Sequence, residues 1–137
     1  MQAVAPYLTF NGNCEEAFHF YAQTLGGTIE AIFTHEGTPM AEHVPKDWLK
    51  KIMHVSMTIG GTRLMGSDAP PDQYEKPAGL SVSLSVDTAG EAERIYAALV
   101  ERGAVIMPIQ ETFWATRFAM LVDRFLIPWM INCDKPM

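Results

Sequence analysis

His54 is the one histidine that alternation places on a strand, and the alternate positions beside it are Ser56 and Thr58. An imidazole among small hydroxyls offers one group that exchanges a proton near neutral pH, and several that orient a ligand without charge. Ser81, Ser83 and Ser85 repeat the hydroxyl pattern further along the chain. Trp114, Met120 and Met130 add apolar area able to wall a cavity, and Arg117 adds a permanent cation on a strand. Arg117 needs a partner there, either Asp123 or a ligand anion, and a surface ion pair is the plainer reading. His54 is the candidate general base, weighed against an ordinary rim histidine bonded locally; no second strand-borne His, Glu or Asp stands with it. His35, Glu36, Glu42, His43 and Asp47 fall in the loop 34–51, which also contains Pro39 and Pro45. They share neither helical nor strand period, so they read as solvated loop residues rather than metal ligands. Trp48 in the same loop is expected to tuck into a cavity or a partner subunit.

The elements that must position these groups can be read from periodicity. In residues 79–103 Leu80, Val82, Leu84 and Val86 alternate with the serines, the pattern of a strand with one apolar face. Thr88 and Glu91 then make a capping box, Ala92, Ile95, Tyr96 and Leu99 recur at helical spacing, and Gly103 predicts a left-handed C-cap. The same unit occurs earlier: a short strand 7–10, a turn at Asn11-Gly12, and Asn13 as N-cap with Glu16 three residues on. Cys14, Ala17, Phe18, Tyr21 and Leu25 then lie along one helix face that ends at Gly26-Gly27. Three strand-like runs follow each unit: 28–33, 52–59 and 62–67 after the first, and 104–107, 114–121 and 127–132 after the second. Gly60-Gly61 and residues 123–126 predict hairpin turns. The chain is therefore expected to be α+β: two βαβββ modules, 6–67 and 80–133, joined by a proline-rich linker 68–79.

Composition narrows the partners. The chain has 137 residues, 48% of them hydrophobic, enough for one globular domain with a sizeable core. With 10 basic against 16 acidic residues and a net charge of −6, it does not suit nucleic acid or an anionic membrane. No apolar run is long enough to span a bilayer and no signal-peptide pattern opens the chain, so a cytoplasmic protein is expected. Cys14 and Cys133 lie far apart without metal or redox spacing and read as packed, reduced thiols.

Several segments together resemble a known family. NGNCEEAFHFYAQTLGG (11–27), IMHVSMTIGG with LMGSD (52–68), TFW followed by RF (112–118), and DRF with PWMIN (123–132) are similar to the PhnB-like branch of the vicinal oxygen chelate superfamily. That superfamily includes glyoxalases, extradiol dioxygenases and the bleomycin- and fosfomycin-resistance proteins. The resemblance implies curved mixed sheets around a cup, as in glyoxalase/bleomycin-resistance folds. It also implies a homodimer, with exchange of modules between chains an arrangement the stiff linker favours. The superfamily's metal positions fall on Tyr7, Met65, Ser81 and Met130, none a competent ligand for a hard divalent cation, so no metal and no cofactor are expected. The implied ligand pocket comprises Tyr7, Thr9, His54, Ser56, Met65, Ser81, Ser83, Trp114, Arg117, Met120 and Met130, with Thr58 and Ser85 alongside. The function it points to is small-molecule binding. The alternative is a lyase or isomerase with His54 as general base and Arg117 holding an anionic substrate. The 3-demethylubiquinone methyltransferase description carried by relatives finds no glycine-rich nucleotide turn in this sequence.

Overall fold

The computed structural model describes residues 3–136, which form two compact units, the first ending at Glu75 and the second beginning at Lys76. In the first, β1 (Tyr7–Phe10), α1 (Cys14–Leu25), β2 (Thr28–Thr34), β3 (Ile52–Ile59) and β4 (Thr62–Asp68) build a four-stranded sheet in the order β1-β4-β3-β2. β1 runs parallel to β4, and the other neighbours are antiparallel. The second unit repeats this with β5 (Val82–Ser85), α2 (Ala89–Val100), β6 (Ala104–Gln110), β7 (Ala115–Val122) and β8 (Pro128–Asp134), in the order β5-β8-β7-β6. The expected α+β architecture of two βαβββ modules is thus observed, with mixed sheets and a single helix on each.

Each helix covers one sheet face because its apolar residues recur at three and four. Cys14, Ala17, Phe18 and Tyr21 of α1 are fully buried, and Phe18 meets Phe10 and Tyr21 edge-to-face at 5.9 and 5.8 Å. Ala92, Ile95 and Leu99 of α2 are buried likewise. On the strands beneath, the alternate residues Val55 and Met57, and Trp129, Ile131 and Cys133, are buried, so each sheet has a covered face and an open one.

The ends of the elements depart from expectation in four places. Asn13 makes no side-chain cap. The free N–H groups at the start of α1 are taken instead by Asp68 at the far end of β4: its Oδ1 accepts from Gly12 (2.9 Å) and Cys14 (3.0 Å), and its Oδ2 from Ile52 (2.9 Å). Strand β4 therefore runs through Asp68, the residue at which the linker was expected to begin. Leu80 lies outside β5 and is 61% exposed, because the parallel ladder with β8 begins at Val82. Gly103 is not the left-handed residue after α2; Arg102 is, at φ 59°. Gly103 serves close approach, since a Cβ there would strike the Val122 carbonyl oxygen. The hydroxyl half of the expected Thr88–Glu91 capping box is present, accepting from the Glu91 N–H at 3.1 Å, while the Glu91 carboxylate faces Arg94 at 3.6 Å.

The Gly60-Gly61 turn has φ of 50° and 85°, the two left-handed positions a tight hairpin demands. The second turn is held by Asp123, whose Oδ1 accepts from Phe125 and Ile127 and whose Oδ2 accepts from the Trp129 indole at 2.8 Å. The loop 34–51 forms short 3-10 turns at Pro39–His43 and Lys46–Trp48. His35 is not solvated as expected. It is 5% exposed, with Nδ1 3.0 Å from the Lys51 carbonyl, because the Lys51 carbonyl also accepts its backbone N–H and pins it inward. His43 is exposed. Trp48 is buried against Gly12 within its own unit, with the Lys51 ammonium 5.9 Å from its ring centroid.

Candidate functional site

The open face of the first sheet is set by register. Tyr7 stands opposite Met65, Met65 opposite Ser56, and Ser56 opposite Ala31; Thr9 stands opposite Ser67, and His54 opposite Phe33. Period two therefore brings Tyr7, Thr9, His54, Ser56, Thr58 and Met65 to one face, as the sequence indicates. Tyr7 Oη lies 3.1 Å from His54 Nδ1, with ring centroids 5.7 Å apart. The phenol thus engages one imidazole nitrogen and leaves Nε2 for a ligand. Tyr7 is 48% exposed while Ser56 is buried, so the face deepens from β1 towards the middle of the sheet. Beside it a groove lies between residues 3–5 and the β3–β4 hairpin, lined by Thr58, Thr62, Arg63 and Met65.

The open face of the second sheet is different in chemistry. Ser83 pairs with Met130, Ser85 with Asn132, Met120 with Met130, and Phe118 with Asn132. Trp114 precedes β7, and its indole N–H donates to Asn132 Oδ1 at 3.1 Å. Its ring sits edge-to-face between Phe113 (4.9 Å) and Phe118 (5.2 Å). Ser83, Trp114, Met120 and Met130 are thereby placed on one face, and Ser81 lies one residue ahead of β5. Arg117 is directed to the other face. Its Nε donates to Glu93 on α2 at 2.9 Å and a terminal nitrogen to the Thr116 carbonyl at 2.7 Å, so its partner is neither Asp123 nor a face residue.

Three members of this face lay outside the expected pocket: Phe118, Asn132 and Asp134. Asn132 links the indole to Asp134, donating to its Oδ1 at 2.7 Å. The alternation that selects Met120 and Met130 also selects these three, so period two was the signal available. The neighbouring Glu111 carboxyl is held below the usual carboxylate range, first by a hydrogen bond from Lys135 and then by its charge. Away from both faces, the Cys14 thiol is pushed far above the ordinary range, by burial first and by the Asp68 and Glu15 charges second. It is a packed group rather than a nucleophile. No three His, Cys, Asp or Glu side chains converge among the described residues.

Comparison with known proteins agrees with this fold. The family model described as 3-demethylubiquinone-9 3-methyltransferase matches residues 2–132. The crystal structure of protein PA1353 from Pseudomonas aeruginosa is 47% identical, covers 99% of this chain and 100% of its own, and superposes with a TM-score of 0.89. A PhnB protein from Bacillus cereus, described as a putative 3-demethylubiquinone-9 3-methyltransferase, is 22% identical over 96% of this chain and 99% of its own, with a TM-score of 0.82. A glyoxylase/bleomycin resistance protein/dioxygenase domain from Frankia sp. shares the fold at 13% identity, with 98% coverage of both chains and a TM-score of 0.68.

Proposed function

From the premise that this chain belongs to the 3-demethylubiquinone-9 3-methyltransferase family, PhnB-like proteins of the glyoxalase/bleomycin resistance superfamily, we propose that it binds a small molecule. The observation that carries the reading is the make-up of the two open faces. They present hydroxyls (Thr9, Ser56, Ser83), thioethers (Met65, Met120, Met130) and aromatic rings around Trp114, with His54 tied to Tyr7. Hydroxyls fix orientation, while rings and thioethers supply burial and adapt to shape. Acid–base catalysis asks instead for titrating groups held in pairs.

The superfamily's metal positions carry a phenol (Tyr7), two thioethers (Met65, Met130) and a hydroxyl (Ser81), a donor set that does not fit a hard divalent cation. Methyl transfer from a nucleotide donor is not favoured either. Such donors sit on a glycine-rich turn between a parallel strand and its helix, and here those turns read Asn11-Gly12-Asn13 and Val86-Asp87-Thr88.

A second reading follows from the Tyr7–His54 contact. If the phenol donates, Nε2 carries the proton and serves as a donor to the ligand. If Nδ1 donates, Nε2 is free to accept a proton, and His54 becomes the general base of a lyase or isomerase. The working form is proposed to be a cytoplasmic homodimer, because the edge strands β2 and β6 leave Ile32, Phe33, Val105 and Ile106 exposed, apolar area that a second chain would cover. Sedimentation showing a monomer at micromolar concentration overturns that part. Native mass spectrometry of protein purified without chelators tests the rest. Binding predicts a co-purifying small molecule whose retention is weakened by Trp114→Ala and only modestly by His54→Ala. Stoichiometric zinc, manganese, nickel or iron held by face residues, or turnover abolished by His54→Ala with binding intact, overturns it.

A further inference from the structure

We propose that the aromatic turn at Phe113 and Trp114, with Asp134 beside it, is a recognition site for an alkylated ammonium group; this rests on the small-molecule reading above and gives the ligand its charge. Phe113 and Trp114 sit at the tip of a turn closed at both ends. The Thr112 N–H donates to the Ala115 carbonyl at 3.0 Å, and the Ala115 N–H to Thr112 Oγ1 at 3.0 Å. The Lys135 N–H reaches the Trp114 carbonyl at 3.4 Å, fastening the tip to the end of β8. The backbone that carries the rings is therefore fixed while the rings remain open to a ligand: Phe113 is 89% exposed and Trp114 43%. Two large rings kept in water by a rigid turn are a preorganised surface, and an aromatic face is attractive to a cation through its quadrupole.

The polar groups around the turn select the sign of charge. The indole N–H is committed to Asn132, and the Asn132 amide is committed to Asp134 Oδ1, so the carboxylate is held two hydrogen bonds from the ring. The two nearby cations are both engaged elsewhere, Lys135 by Glu111 at 3.0 Å and Arg117 by Glu93 at 2.9 Å. Asp134 makes no ion pair among the described residues. An anionic ligand would meet this carboxylate unfavourably, and a neutral one would gain only contact area. A methylated ammonium gains from rings and carboxylate together, and its diffuse charge is cheaply desolvated beside them.

Titration of the full chain by NMR, following the Trp114 indole N–H assigned with Trp114→Phe, tests this with three probes of one shape. These are choline, neutral 3,3-dimethylbutan-1-ol and anionic 3,3-dimethylbutanoate. Choline is expected to shift the Trp114 resonance saturably, with Asp134→Asn weakening binding up to about fivefold and Phe113→Leu weakening it as well. Raising sodium chloride should weaken choline through the same Coulomb attraction, a readout that needs no variant. Equal binding of the neutral isostere, or tighter binding of the anion, overturns the inference and leaves the small-molecule reading standing. Failure of all three to move Trp114 also overturns it, and the native mass measurement then decides the broader reading alone.

Discussion

Removing the Asp68 carboxylate should be the most damaging single change in the first unit. Three backbone N–H groups, from the turn before α1, the first residue of α1 and the first residue of β3, all use this side chain at 2.9–3.0 Å. Asp68 is 5% exposed, so water does not readily replace it. A buried donor left without a partner costs about 1–3 kcal/mol. Asp68→Ala orphans the buried Cys14 and Ile52 donors outright and the part-buried Gly12 donor in part, and should therefore cost about 3–6 kcal/mol, a large part of the ~5–15 kcal/mol that holds a typical domain together. Asp68→Asn keeps one oxygen for Gly12 and Cys14 but turns an amide N–H towards Ile52, and should cost about 2–3 kcal/mol. Urea unfolding followed by circular dichroism reads the difference. At a slope of about 1.5 kcal/mol per molar urea, the asparagine variant should lose about 1.3–2 M in midpoint and the alanine variant more. An alanine variant within about 1 kcal/mol of the parent would refute the accounting, since no rearrangement short of losing the α1 start could re-pair three donors.

The buried Cys14 thiol gives a pH dependence whose sign is fixed. Its folded value is raised above the unfolded one of about 8.5, so its contribution is fully present below that pH and is lost as pH rises. Between pH 8 and 10 the parent should lose about 2 kcal/mol more stability than Cys14→Ala, measured by paired urea melts. Gly103→Ala should cost about 2–3 kcal/mol, because its Cβ has to displace the Val122 carbonyl and lies 3.1 Å from the Asp123 Cα; a neutral result in thermal unfolding would refute that contact. Lys135→Gln should raise the titration midpoint of Glu111 towards the ordinary carboxylate range, read from its side-chain carbon resonance, whereas an unmoved midpoint would mean that the hydrogen bond is not its cause.

What the sequence reveals and what it conceals divide along contact range. Val55 and Met57 against His54 and Ser56, or Trp129 and Ile131 against Met130 and Asn132, are sorted between faces by alternation alone. The open-face residues were therefore legible before any fold was known. Helix spans were legible for the same reason, since Phe18 and Tyr21, or Ile95 and Leu99, fall on one stripe. Caps were not. Asn13 has the right side chain in the right place, yet Asp68, 54 residues from Cys14 in sequence, displaces it. His35 looks like a solvated loop residue until the Lys51 carbonyl is found beside it. Arg117 follows the same rule: the sequence grouped it with Trp114 in the implied pocket, and only the packing of α2 supplies Glu93 as its partner. The Trp114–Asn132–Asp134 chain depends on cross-strand register, which local pattern does not encode.

The backbone of the turn that carries Phe113 and Trp114 is held by groups that the Phe113 side chain does not supply: backbone atoms of Thr112, Trp114, Ala115 and Lys135, and the Thr112 hydroxyl. Replacing the Phe113 ring leaves those bonds intact, whereas replacing Trp114 also gives up its indole bond to Asn132 and its packing on Phe118. Position 113 is therefore a place where new side chains can be tried at little cost to folding. Descendants of one ancestral gene could diverge in what they hold while their strands, helices and the Asp68 clasp stay the same.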